Sequence, residues 1–180
     1  MKKRVERVSV DNIADFFKFH SGECGWCYCT GWWAPSWKGW TERSDAQNKR
    51  LREELFEREE FDGYLLYIDE QPVGWCQVGQ RDRLVKLVNQ YKLEPNPDIW
   101  AITCFVIKPE YRNKGLTEHL LKVILEDLER DSVKTVQAFP KRTDSKEASE
   151  HWKGPENLFL SAGFKVERED QSNPVLQIQF

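Results

Sequence analysis

The sequence predicts one domain built on a mixed α/β sheet, and three observations lead there. Residues 63–68 and 73–78 are two apolar, strand-like runs on either side of Asp69-Glu70-Gln71-Pro72, the pattern of a tight hairpin. Residues 99–107 are almost wholly apolar, as expected of a central strand covered on both faces. Leu116, Leu120, Ile124 and Leu128, flanked by Leu121 and Leu125, then recur at helical spacing up to Arg130. Neighbouring strands imply antiparallel pairing, while a strand, a helix and a further strand imply a crossover, so the sheet is mixed. The chain of 180 residues corresponds to about one domain at roughly 150 residues each.

The remaining elements follow in order. Val5, Val8 and Val10 suggest a first strand, after which Asp11 is placed to cap a helix carrying Ile13, Phe16 and Phe17. The pattern breaks at Ser21-Gly22. Residues 24–40 are rich in Cys, Trp and Gly and fit neither a period of two nor one of 3.6, which reads as an ordered loop. Ser44-Asp45-Ala46-Gln47 matches a capping box and opens a surface helix to Glu60, with Leu51, Leu55 and Phe56 inward and charges elsewhere. Residues 81–93 place Leu84, Leu87 and Val88 at helical spacing, closed off by Pro95 and Pro97. Lys108-Pro109 ends the central strand. Residues 133–139 form another strand, and 141–156 a polar connection long enough to suggest binding. A short helix over 157–162 closes at Gly163, with strands at 164–167 and 175–180.

Composition excludes several partners. Lys+Arg 27 against Asp+Glu 30 leaves a net charge of −3, with a pI near 5.7, so no global basic field collects nucleic acid or an anionic membrane. The first ten residues lack a signal peptide's apolar core, no stretch approaches the ~18 apolar residues of a membrane span, and five Cys is an odd count. A cytoplasmic chain with reduced thiols is the expectation. Charged residues at 32% beside 13% aromatics describe a folded globular protein.

The chemistry concentrates where the central strand runs through Arg112-Asn113-Lys114-Gly115-Leu116-Thr117 into the amphipathic helix. Unsatisfied N–H groups at a helix start, the macrodipole and two basic side chains make an anion cradle, and Gly115 allows a phosphate to approach closely. An ordinary strand-to-helix turn needing one glycine is the plain alternative. The segment resembles the acetyl-CoA pyrophosphate loop, Q/R-x-x-G-x-G/A, of the GNAT superfamily of N-acetyltransferases, with Thr117 where a small residue is usual. Residues 104–112 before the loop, Val73-Gly74 in the hairpin, and Leu158-Phe159-Leu160-Ser161-Ala162-Gly163-Phe164 are similar to the family's elements in the family's order. These motifs lie within residues 61–170.

The resemblance implies a single GNAT-like domain over residues 1–180, with a mostly antiparallel mixed sheet flanked by helices. It implies that backbone groups of Phe105 and Val106 hold the pantetheine arm of acetyl-CoA and polarise its thioester. Arg112, Asn113, Lys114, Gly115, Leu116 and Thr117 would bind the pyrophosphate, and Asn157 the arm. The implied reaction is direct attack of an amine, from a small molecule or peptide, on the thioester. Members commonly use a carboxylate as base, but residues 99–107 contain none, leaving Asp98 or a water. Phe159 stands where many members carry a proton-donating Tyr, and Ser161 and Tyr111 are conceivable replacements. A thiolate leaves tolerably unaided, since general acid catalysis contributes about 10²–10⁴-fold whereas proximity supplies ~7–11 kcal/mol. A binding module for acyl-CoA without catalysis is the alternative. The resemblance leaves room for a homodimer.

Within residues 20–40, His20, Cys24, Cys27 and Cys29 formally allow a zinc site, but a closed site usually spaces its ligands as two separated pairs, so no metal is expected. Some bacterial GNAT members carry a similar Cys/Trp-rich segment on the acceptor side. Trp26, Trp32, Trp33 and Trp37 would then wall a pocket holding a cationic amine by cation–π contacts, and a core-forming loop is the equal alternative. His119 and His151 read as ordinary helix and loop residues, and Glu53, Glu54, Glu57, Glu59 and Glu60 as a solvated helix face.

Overall fold

The computed structural model describes residues 2–21, 25–34, 36–142 and 152–180. Seven strands form one sheet in the order β1-β2-β3-β4-β5-β7-β6, where β1 is Lys3–Arg7, β2 Tyr64–Ile68, β3 Gln71–Gln80, β4 Ile99–Ile107, β5 Thr135–Ala138, β6 Lys165–Arg168 and β7 Val175–Gln179. Every neighbouring pair is antiparallel except β4 with β5. The helices are α1 (Ile13–His20), α2 (Asp45–Glu57), α3 (Val85–Tyr91), α4 (Leu116–Arg130) and α5 (Glu156–Ser161). None among the described residues is long and apolar enough to cross a membrane.

Both sheet faces are covered, which explains why β2 and most of β3 and β4 are apolar without alternation. On one face Leu66, Cys76 and Ile102 meet Leu120, Ile124 and Leu128 of α4, together with Phe159 of α5. On the other, Leu65, Tyr67 and Trp75 meet Phe16 and Phe19 of α1 and Phe56 of α2. A third cluster joins Leu87 and Tyr91 of α3 to Trp32, Ala101 and Phe139.

Several expectations need correction. β1 ends at Arg7, so Val8 drops into the core while Val10 stays 71% exposed on the turn. Asn12, not Asp11, is the N-cap of α1, and its amide stitches the turn by accepting from the Ser9 N–H and donating to the Arg7 carbonyl. The inward face of α1 is Phe16, Phe19 and His20. The capping box of α2 forms as expected, but the helix ends at Glu57 and buries Arg52 among its apolar residues. The stretch 81–93 is a 3-10 turn, Arg81–Arg83, followed by α3.

The feature that positions the site is the parting of β4 from β5. Their pairing stops at Ile102 opposite Ala138, while β4 continues to Ile107 alone on that edge. Gln77 stands opposite Cys104 and Val78 opposite Ile102, so Thr103 is an extra residue in β4. A bulge of this kind bends its strand, and here the bend accompanies the opening of the sheet.

Candidate active site

The segment leaving β4 passes through a 3-10 turn, Pro109–Tyr111, before entering α4 at Gly115. Gly115 has φ +68° and nothing lies within 4 Å of where a Cβ would stand, so the backbone approaches solvent openly. No side chain caps the helix, which leaves its first-turn N–H groups to an anion. The Arg112 Nε donates to the Ile107 carbonyl at 3.0 Å, pinning the loop to the end of β4, and the Lys114 Nζ donates to the Glu110 carbonyl at 2.9 Å. Leu116 anchors the turn by burying its side chain, so only its backbone faces outward. A groove of about 460 Å³ runs from here along α5, lined by Arg112, Asn113, Gly115, Thr117, Asn157 and Ser161.

At the cleft, the Phe105 N–H points away from β3 and donates to the Trp152 carbonyl at 2.6 Å. By antiparallel alternation, Val106, opposite Trp75, turns its own backbone groups toward β3, so of the two expected residues only Phe105 presents an amide to the cleft. Residues 152–154 therefore lie along the free edge of β4. Gly154, at φ +84°, permits this because a Cβ there would stand 2.9 Å from the Phe159 ring and 3.1 Å from the Phe105 ring. Phe159 is fully buried between Phe105 and Phe164, as a floor beneath that segment.

The other expected side chains are dispersed. Asp98 precedes β4 at its far end, and seven residues of strand put it on the order of 23 Å from Phe105. Tyr111 and Ser161 both line the groove. His119 lies on α4, while Cys24 and His151 fall outside the described residues.

The Cys/Trp loop is organised by a residue that the sequence pattern hides. Arg52 is fully buried; its guanidinium donates to the Tyr28 and Cys29 carbonyls at 3.1 and 2.9 Å and to the Gln77 side chain at 3.0 Å, and it stacks 4.9 Å from the Trp33 ring. Tyr28 and Cys29 adopt left-handed backbone, φ +44° and +53°, and their carbonyls serve Arg52. An arginine amid leucines at helical spacing was the only available signal. Among the described residues no three potential ligands converge on a metal position. His20 is instead a core residue, with its Nδ1 at 3.0 Å from the Phe16 carbonyl.

Three of the four tryptophans join through Trp40, whose ring lies 5.9 Å from that of Trp37, into a run of ring contacts. Trp26 packs against Trp40 with ring centroids 5.3 Å apart, while Trp32 meets Trp37 edge-on at 5.1 Å. Trp32, Trp33 and Trp37 line a second groove of about 520 Å³ beside α3. The space over the rings holds the chain's own ammonium, since Lys86 Nζ lies 3.5 Å from the Trp37 ring and 5.4 Å from that of Trp40. The Trp32 ring also lies 6.1 Å from that of Trp152. A single aromatic contact thus joins this groove to the residue seated on Phe105.

Comparison with solved structures shows the same fold over the whole chain. The PaiA N-acetyltransferase from Thermoplasma acidophilum, in complex with coenzyme A, is similar over 100% of both chains, with a TM-score of 0.58 and 15% identity. The NatC complex bound to Gag peptide and CoA covers 100% of this chain and 99% of its own, at 0.57 and 12%. An uncharacterised protein from Bacillus halodurans covers 98% and 83%, at 0.61 and 17%. No curated protein matches the sequence significantly. The profile of the acetyltransferase (GNAT) family matches residues 26–151, which is more than half of the chain, and the protein therefore belongs to that family.

Proposed function

We propose that this protein transfers an acetyl group from acetyl-CoA directly to an amine of a small molecule or peptide. The observation that carries the reading is the open, uncapped start of α4 at Gly115, placed directly after the unpaired edge of β4 and joined to it by a groove. The first-turn N–H groups of α4, with Arg112 and Lys114, would hold the pyrophosphate. The pantetheine arm would follow the groove past Asn157 and take the Phe105 N–H in place of the Trp152 carbonyl. That amide would then polarise the thioester oxygen as negative charge develops on it. The amine attacks the carbonyl carbon, the C–S bond breaks, and the proton lost by the amine passes through a water to the departing thiolate, so that CoA leaves as the thiol, or to solvent, so that it leaves as thiolate. With Phe159 lacking a hydroxyl, catalysis rests on positioning and on this amide.

Calorimetric titration with acetyl-CoA and CoA tests the cofactor. Binding in the micromolar range, weakened about tenfold or more in Arg112→Ala while the fold is retained, is expected from loss of one charge-assisted phosphate contact. Equal affinity in the variant removes the pyrophosphate assignment. The occupied Phe105 amide favours a second reading, an acyl-CoA-binding module without turnover. CoA release across an amine library separates the two.

A further inference from the structure

The groove beside α3 gathers polar atoms that the fold leaves without partners. Of the buried side-chain atoms lacking a hydrogen-bond partner among the described residues, four belong to residues that line this groove: Trp32 Nε1, Trp33 Nε1, Arg83 Nε and Lys86 Nζ. All four are donors, and each would normally have an acceptor. Trp32 is 3% exposed, so this is a built position rather than a surface accident. Arg83 spends its charge on Asp62, with which it forms an ion pair, but among the described residues Lys86 has no carboxylate partner and no lining residue is acidic. Burial, with Arg43 nearby, pulls the Lys86 amine down to about 8, as happens to an ammonium held away from water and counter-charge.

We infer that this groove binds the carboxylate of an organic acid, and that the acetyl acceptor is an amine bearing such a carboxylate. The pocket expected to hold a cationic amine is filled by Lys86 itself, so a second cation meets repulsion while an anion meets an unmatched ammonium and unpaired N–H groups. One unmatched cation among apolar rings suits a single, flat negative charge better than a strongly hydrated phosphate dianion. Trp37, 41% exposed, covers Lys86, and a ligand that reaches the ammonium displaces this ring and its 2.6 Å hydrogen bond to the Gln90 side chain. Through Trp32 and Trp152 the groove borders the cleft at Phe105. The acceptor half of the inference rests on the proposed transferase function, whereas carboxylate binding does not.

Tryptophan fluorescence and calorimetry with phenylacetate, phenylacetamide and inorganic phosphate test it at pH 7 on the full chain. Phenylacetate is expected to bind about tenfold or more tighter than the isosteric amide, because the charge-assisted bonds are lost in the amide. Lys86→Met should abolish that preference and Lys86→Arg retain it, both with acetyl-CoA affinity unchanged. Equal binding of acid and amide overturns the inference, and phosphate binding as tightly as phenylacetate overturns the assignment to a carboxylate. With acetyl-CoA present, 4-(aminomethyl)benzoate should be acetylated with a higher kcat/KM than 4-(aminomethyl)benzamide. Failure of CoA to bind defeats the transferase reading and leaves the phenylacetate result standing, whereas CoA binding with no preference for acid over amide defeats only this inference.

Discussion

Arg52 and His20 hold the start of the Cys/Trp loop against the sheet by different means. Arg52 ties the Tyr28 and Cys29 carbonyls to Gln77 on β3. His20 fills the angle between Phe16 and Tyr28 with ring centroids at 4.1 and 5.9 Å, and stays neutral because burial lowers its proton affinity to a pKa of about 3, with Arg52 adding to the effect. In the unfolded chain the same imidazole titrates near 6.5. Above pH 6.5 both states are neutral and His20 contributes no slope. Between 6.5 and about 3 the unfolded state binds the extra proton, so this part of the stability is lost as pH falls, at about 1.4 kcal/mol per pH unit. His20→Phe should flatten that acid limb by one proton's worth in chemical denaturation, while leaving the pH dependence above 7 unchanged. An unaltered acid slope would mean that His20 is protonated in the folded state.

β4, its loop and α4 carry the cradle, and they are also where reading the sequence works best. A fully covered strand followed by a heptad-like leucine stripe leaves little choice of element, and a basic Gly turn between them admits few geometries. Gly115→Ala tests the cradle as a backbone device: at φ +68° the added Cβ meets no neighbour, so its cost is conformational, about 1 kcal/mol of stability. Relaxation of that strain reorients the first-turn N–H groups, and CoA affinity should fall several-fold by calorimetry. Unchanged affinity would mean that side chains alone hold the phosphates. Other parts of the site were hidden for definite reasons. The bulge at Thr103 depends on the pairing of Ile102 and Cys104 with Val78 and Gln77, 24 and 27 residues earlier, and the carbonyl of Trp152 on Phe105 joins residues 47 apart, which no local pattern encodes. Lys86 reads as an exposed helix cation until Trp32, Trp37 and Trp40 are brought around it by a loop with no periodicity.

One hydrogen atom on β4 links the two grooves across the molecule. The Phe105 N–H can serve one strong acceptor, and it now serves Trp152, whose ring in turn touches Trp32 at the wall of the carboxylate groove. An acyl-pantetheine arm using that amide must lift the Trp152 carbonyl off β4, and the ring then shifts against Trp32. Binding at either groove is thereby coupled to the other, and the coupling is reciprocal. Net stabilisation is still expected, because ligand at a hundredfold its Kd adds about 2.7 kcal/mol, which raises Tm by roughly 5–10 °C in a chain of this size. Thermal unfolding with saturating acetyl-CoA should show that rise together with a change in tryptophan emission. Trp152→Phe should remove most of the emission change and keep the rise in Tm, since the backbone carbonyl and the cradle survive the substitution. The amide resonance of Phe105 gives the deciding reading: exchange of one acceptor for another moves it, and a Phe105 resonance unmoved by bound acetyl-CoA would place the thioester elsewhere and uncouple the two grooves.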